Sequence, residues 1–492
     1  MKTQFFSLLY RQFKDQPKAF YLLMATELSE LFGRFGIFAL LVLYLTKSLH
    51  FNDNQAFGLF ASFTALMFIS PLIGGYLADR FLGHKTAIII GILTMAAGNF
   101  LVALGAGLPL YAGLAVIIIG FGLFNPTLAA MLGNIYDSNK LDRDNGFMFY
   151  IICKNTGGLL AAILLGLVAQ HYGYNIAFFI NTLAMLVGLT VFVLNQQTIM
   201  RLQSHHVLIK LKKSRLAFLN SVIFAVLLGL SYIILTQHFT GDLLAIMGVA
   251  TIAMLIIMAK NSDAQGRKKI IAIVLFTLMA TSFYTFLNLS GQTLNLFIER
   301  IVNRHVLGVI IPTPLLYSLE QVYMLILGPL LTGIFMALSL KGKPLSACTK
   351  SALGLFFLAI GFAIFVFGSA IAMHQGSVSM LVVVIAYIVF SLAELCIAAT
   401  TLSRVTALAP SRYKSMMVGV YMLGLGLASY LSGKIAQQGK INFDFSTLAG
   451  RQHAAAIYHT VFTQVTVGLV VSGVIVMCLV PVMKYLLRPV VD

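Results

Sequence analysis

The sequence predicts an all-α membrane protein, a bundle of fourteen transmembrane helices, and three observations point there. Of its 492 residues 59% are hydrophobic and only 10% charged, with a mean hydropathy of +0.94, whereas a soluble domain carries about a quarter charged residues. Apolar runs close to the roughly 20 residues that span a bilayer recur along the whole chain. They exclude an outer-membrane barrel with its short alternating segments, which leaves a helical bundle. The third observation is the placement of the basic residues.

The spans fall near 19–47, 55–77, 86–105, 111–133, 146–170, 175–195, 217–237, 243–260, 269–297, 316–339, 350–372, 379–402, 413–436 and 457–486. With the N-terminus in the cytoplasm, most of the 33 lysines and arginines fall in loops on that side, and an even number of spans returns the C-terminus there. The net charge of +18 therefore reflects positive-inside loops and not nucleic-acid binding. The first twenty residues carry Lys2, Arg11, Lys14 and Lys18 without a short apolar core and cleavage site, so the first span itself is expected to target the chain. Trp is absent, which leaves any interfacial belt to tyrosine. Cys153, Cys348, Cys396 and Cys478 are scattered and form no ligand set, so no disulfide, metal or cofactor is expected.

A basic linker, Arg201 to Arg215, separates the sixth and seventh spans. The layout reads as a six-helix bundle (1–197), the linker with an inserted helix pair (198–267), and a second six-helix bundle (268–492). Twelve-span transporters built of two six-helix halves have this form, with their site at the midplane.

Ionisable residues inside spans are costly and face the bundle interior or a water-filled path. Glu27, Glu30 and Arg34 lie at i, i+3 and i+7, on one face of the first helix, and Arg34 sits roughly 20 Å inside the span. Two carboxylates this close in low dielectric are not expected to ionise together, which suits proton handling. The competing reading is a static i, i+4 pair of Glu30 and Arg34. Lys154, beside Asn155, lies about two turns into the fifth span, too deep to snorkel to the interface. Glu394 is a lone acid in an apolar run on the twelfth span, and Glu320 begins the tenth. Glu299, Arg300 and Arg304 are expected as a solvated gate or loop cluster. His84, His205 and His206 are expected as surface residues. The pairs Gly120/Gly122 and Gly424/Gly426 follow no strand and read as helix packing rather than a dinucleotide loop. No HExxH motif or Ser-His-Asp set points to an enzyme.

Gly74-Gly75-Tyr76-Leu77-Ala78-Asp79-Arg80-Phe81-Leu82-Gly83-His84-Lys85 resembles the loop motif of the major facilitator superfamily, in which Asp79 and Arg80 suit a gating latch. The extra residue before Gly83 looks like the version in proton-dependent oligopeptide transporters. That family's first-span ExxERFxYYG corresponds to Glu27 through Gly36. Its spacing recurs from Gly122-Leu123-Phe124 through Tyr136 to Asn155-Thr156-Gly157, and again at Ala393-Glu394-Leu395 with Ala409-Pro410. The inserted pair at 217–260 is similar to the extra helices of bacterial members. The resemblance implies a major facilitator fold and proton-coupled import of di- or tripeptides across the bacterial inner membrane.

The departures are specific. The family's motif arginine is Leu31 here, and its two tyrosines are Arg34 and Phe35. The lysine of GLFKxN is Asn125, a glutamate after the inserted pair is Asn288, a second-span tyrosine is Phe68, and the LNP asparagine is Glu320. The resemblance thus implies Glu27 and Glu30 as proton-coupling residues. It places Arg34, Lys154, Asn155, Asn288, Glu320, Glu394, Asn125 and Phe68 around a peptide-like, charged or zwitterionic solute, with protons and the lipid bilayer as the other partners. Alternatives are a non-peptide solute such as a polycarboxylate, siderophore or amino-acid derivative, and transport without proton coupling. A channel would show currents far above carrier turnover, and a solute sensor would bind without moving its ligand.

Overall fold

The protein is described by a computed structural model. It covers residues 16–487 apart from 140–142, 201–224, 226–227, 230, 233–238, 307, 343–344, 410–413, 441–444 and 446. The expected span at 217–237 lies largely outside the described residues, as do His205 and His206. Among the described residues, thirteen helices are long and apolar enough to cross a membrane.

The chain groups into two compact units, residues 1–40 with 69–236, and residues 41–68 with 237–492. The first unit holds α1 (Lys18–Leu43) up to Leu40, the end of α2 (Asp53–Leu77), α3 (His84–Ala103), α4 (Leu108–Asn139), α5 (Arg143–Tyr172) and α6 (Tyr174–Leu194). The second holds most of α2, then α7 (Thr240–Lys260), α8 (Ala264–Leu287), α9 (Thr293–Arg300), α10 (Leu319–Leu340), α11 (Ala347–Gln375), α12 (Leu381–Leu408), α13 (Lys414–Ala436) and α14 (Leu448–Cys478). Two-residue strand pairs, Val302–Asn303 with Val378–Ser379 and His305–Val306 with Val309–Ile310, are the β-structure among the described residues.

Apolar side chains are as soluble in lipid as in a helix interface, so these helices are brought together by close backbone approach and polar contacts. In the first unit a Cβ on Gly120 would lie 2.6 Å from the Gly91 carbonyl oxygen. One on Gly74 would collide with the Gly122 backbone, and one on Gly122 would sit 2.7 Å from the Ser70 oxygen. In the second, a Cβ on Gly424 would press against Thr277 at 2.7 Å. Gly120, Gly122 and Gly424, three of the four glycines expected to pack, do so. Asn181 on α6 adds a polar tie, donating to the Gly33 carbonyl on α1 at 2.9 Å and to Asn99 on α3 at 2.8 Å.

Two expectations need correction. His84 is buried at 1% exposure, because it opens α3 directly after the turn at Gly83, whose φ of 75° favours glycine. The last long helix begins at Leu448 rather than near 457: Thr447 caps it by accepting from the Gly450 amide at 3.0 Å, and the polar residues Arg451, Gln452 and His453 fill its first turns.

Candidate functional site

In the first unit the site is built on α1. Glu27 and Glu30 are both 1% exposed and Arg34 is 8% exposed. The predicted i, i+4 pair is present and bidentate, Arg34 Nε donating to Glu30 Oε1 at 2.9 Å and Nη2 to Oε2 at 3.3 Å. The guanidinium also lies over the rings of Phe35 and, on α4, Phe121, at 5.5 and 5.1 Å, where cation–π attraction helps to hold it.

Lys154 reaches this cluster because α5 lacks side chains where it crosses α1. A Cβ at Gly157 would come within 2.8 Å of Leu31, and one at Gly158 within 3.0 Å of Phe35. The Lys154 ammonium is exposed yet acts electrostatically on Glu30, and the neighbouring Cys153 thiol senses Glu27 while donating to the Met24 carbonyl at 3.4 Å. Asn155 is buried and Asn125 half-buried. Leu31, in the family's arginine position, is fully buried against Gly157.

In the second unit Glu320, at the start of α10, is 4% exposed, and its carboxyl hydrogen-bonds that of Glu394 on α12. Glu394 is therefore not the lone acid its apolar surroundings suggested. The alignment of the two helices is fixed by Ser391, one turn before Glu394, which donates to the Glu320 carbonyl at 3.1 Å. Four buried tyrosines lie within electrostatic reach of one or both carboxyls: Tyr284 on α8, Tyr317, Tyr387 on α12 and Tyr421 on α13. Tyr421 is held by Thr401 at 3.1 Å, and Tyr317 bonds Ser290. Asn288 donates to Ser429 at 3.1 Å, and Phe68 is half-buried. The backbone of Asp79 and Arg80 forms a π-helical turn, Ala78–Leu82; their side chains lie outside the described residues.

These four tyrosines were not singled out from the sequence, where tyrosine entered only as the residue left to form any interfacial belt. Sequence reasoning also misjudged Glu299, Arg300 and Arg304, which are largely buried rather than solvated. Glu299 pairs with Lys47 at 2.6 Å and Arg304 at 2.9 Å and accepts from Thr313, while Arg300 holds Asp53 through both oxygens at 2.6 and 2.7 Å. The early appearance of Lys47 and Asp53 gave no hint of these partners.

A many-helix membrane protein with buried, paired ionisable groups on its spans is a secondary transporter in class. Residues 85–444 match the model of the POT family (PTR2), and the chain belongs to that family. It is 26% identical over 481 residues to dipeptide and tripeptide permease B of Xenorhabdus bovienii, covering 96% of this chain and 97% of the relative. It is 28% identical to dipeptide and tripeptide permease A of Serratia proteamaculans, covering 95% and 91%. Among solved structures, a bacterial homologue of the human drug peptide transporters PepT1 and PepT2 superposes with a TM-score of 0.82 at 26% identity, covering 95% of this chain and 99% of that one. Tetrameric PepTSo2 gives 0.82 at 25% identity, covering 95% and 98%.

Proposed function

We propose that this chain is a proton-coupled importer of di- and tripeptides or closely related zwitterions, working by alternating access in the bacterial inner membrane with both termini in the cytoplasm. The observation that carries the reading is the sorting of charge between two clusters on the spans. One cluster offers cations, Arg34 and Lys154, beside Glu27 and Glu30. The other offers Glu320 and Glu394 among tyrosine hydroxyls. A peptide has one carboxylate and one ammonium, and each buried charge is expensive without a partner of opposite sign. Arg34 and Lys154 answer the first, Glu394 with Glu320 the second, and Asn155, Asn288, Asn125 and Phe68 provide neutral contacts. Glu27 and Glu30 take the proton, and Asp79 with Arg80 serves the gate.

Coupling requires that protonation alter the affinity difference between the two access states, because a ligand shifts an equilibrium only by that difference. The test is uptake of labelled dialanine and trialanine into proteoliposomes, with and without an inward proton gradient. Accumulation that needs the gradient and disappears in Glu27→Gln is the expected result. Absence of uptake in correctly folded protein would overturn the peptide assignment, and gradient-independent uptake would overturn the coupling.

A further inference from the structure

Helix α14 sorts its side chains by face. Tyr458, Val461, Phe462, Val465, Leu469 and Val476 are buried within the second unit. The opposite face, at spacings of three, four and seven residues, exposes Thr460, Thr463, Gln464, Val467, Val471 and Val474. The three valines are 57%, 51% and 49% exposed, and a row of bare aliphatic side chains on a span faces lipid rather than an aqueous path.

Gln464 breaks that pattern. At 1.5 Å per residue it stands about 24 Å from Leu448 and about 21 Å from Cys478, the two ends of α14, which is hydrocarbon depth. Its carboxamide is exposed and makes no hydrogen bond among the described residues. The neighbouring hydroxyls are answered within the helix, Thr460 donating to the Ala456 carbonyl at 3.1 Å and Thr463 to that of His459 at 2.8 Å. Asn99, Asn181 and Gln292, carboxamides of other spans, are 1%, 0% and 0% exposed and donate hydrogen bonds inside the protein.

An unpaired amide among lipid tails is costly, because they offer neither donor nor acceptor. A glutamine side chain is too short to reach the headgroups from the middle of a span. Its partner must then come from another protein helix at the same depth. A second copy of this chain meets that condition by construction. Both copies insert with the same orientation, so a two-fold axis normal to the membrane brings the same residue of each to one depth. A carboxamide donates and accepts, which makes Gln464 complementary to itself. The flanking Thr460, Thr463 and Val467 have short side chains and let two backbones approach closely.

We propose that the exposed face of α14 is the contact surface of a homodimer in the membrane, closed by two Gln464 carboxamides that each donate to the oxygen of the other across the two-fold axis. Val471 and Val474 extend the seam toward the other end of the helix. Such a dimer forms whether or not a peptide is the solute carried.

The test is resonance energy transfer between donor- and acceptor-labelled copies of the full chain, purified and reconstituted into phospholipid vesicles at decreasing protein-to-lipid ratios. Transfer in the unaltered chain should follow a monomer–dimer equilibrium as it is diluted. In Gln464→Leu the dissociation constant in the bilayer should rise by about 5- to 30-fold, the range that hydrogen-bonded side chains give between model membrane helices. Val187→Ala, at a 61% exposed position of α6, should leave it unchanged. A chain that is monomeric at every ratio would overturn the dimer and leave lipid as the cover of α14, since the vesicles hold nothing else. Association that Gln464→Leu leaves intact would assign the contact to another face and equally overturn it. Should Gln464→Leu not fold, Val467→Trp decides the matter, because it keeps the amide and adds bulk to the seam. Association as strong in that variant as in the unaltered chain refutes the α14 contact, and a weakened one supports it.

Discussion

Replacing Arg34 by Gln removes the guanidinium that engages both oxygens of Glu30, at 2.9 and 3.3 Å. The Glu30 side chain is 0% exposed and that of Arg34 9%, so the carboxylate left behind has little access to water. Breaking a buried pair by deleting one partner costs about 3–5 kcal/mol, with Lys154 and protonation of Glu30 offsetting part of it. The same principle says that replacing both members by neutral groups is often close to neutral in stability. The informative comparison is therefore Arg34→Gln against the double variant Glu30→Gln/Arg34→Gln. Thermal unfolding in detergent should show the single variant clearly destabilised and the double variant near the unaltered protein. Dialanine uptake into proteoliposomes should be lost in both, because stability returns while the cation and the acid do not. A double variant that is stable and transports at the unaltered rate would refute the functional role and leave the pair as a contact that fixes α1. A single variant as stable as the unaltered protein would refute the buried-charge argument itself.

Asp53→Asn keeps the shape at the Arg300 contact but removes the charge held at 2.6 and 2.7 Å; thermal unfolding should show a loss of about 3–5 kcal/mol, and an unchanged midpoint would argue against the pair. Gly74→Ala should fail to give folded protein, since its Cβ meets the backbone of Gly122, which has no side chain to move aside. Gly75→Ala meets only the Pro126 ring at 3.3 Å and should cost no more than about 1–3 kcal/mol; equal yields of the two on size exclusion would refute the packing argument. Tyr387→Phe removes a buried hydroxyl without a hydrogen-bond partner, so stability should hold or rise by up to about 1 kcal/mol, while a marked loss would show that the hydroxyl is satisfied.

The spans were legible because the membrane makes secondary structure nearly one-dimensional: every backbone polar group must be satisfied within its own helix, and apolar length alone reports it. Boundaries failed where that signal fails, at the polar first turns of α14 and at His84, whose burial follows from the Gly83 turn rather than from its own chemistry. The Glu30–Arg34 pair was legible because both residues share one helix face at i, i+4. The Glu320–Glu394 bond was not, because it joins α10 to α12, and no local pattern says which faces of two distant helices will meet. The tyrosines around it were hidden for a related reason. A tyrosine in an apolar run reads equally as an interfacial anchor or a buried hydroxyl, and only the neighbouring acids decide between them. The same holds for Lys47 and Asp53, whose partners lie at the far end of the Ala264–Arg300 span.

Charge balance separates the two acidic clusters and assigns them different chemistry. Glu30 has a cation bonded to it in the same helix and a second, Lys154, within electrostatic reach. Its charge is already answered, and a proton arriving there must compete with a guanidinium. Protonation would then release Arg34, which gives that cluster a means of converting proton binding into a change in affinity for an anionic group. Leu31, packed without exposure against Gly157, leaves little room for an arginine on that turn, and under the proposed function Arg34 would take that part on α1. The cluster on α10 and α12 differs. Among the described residues the charged group acting on Glu320 is another acid, Glu394, and a proton or the ammonium of a zwitterionic solute would answer that charge. Under the proposed function a proton and an ammonium would be alternatives at the same oxygens. Occupancy by one must alter the affinity for the other, which is the thermodynamic link that coupled transport requires.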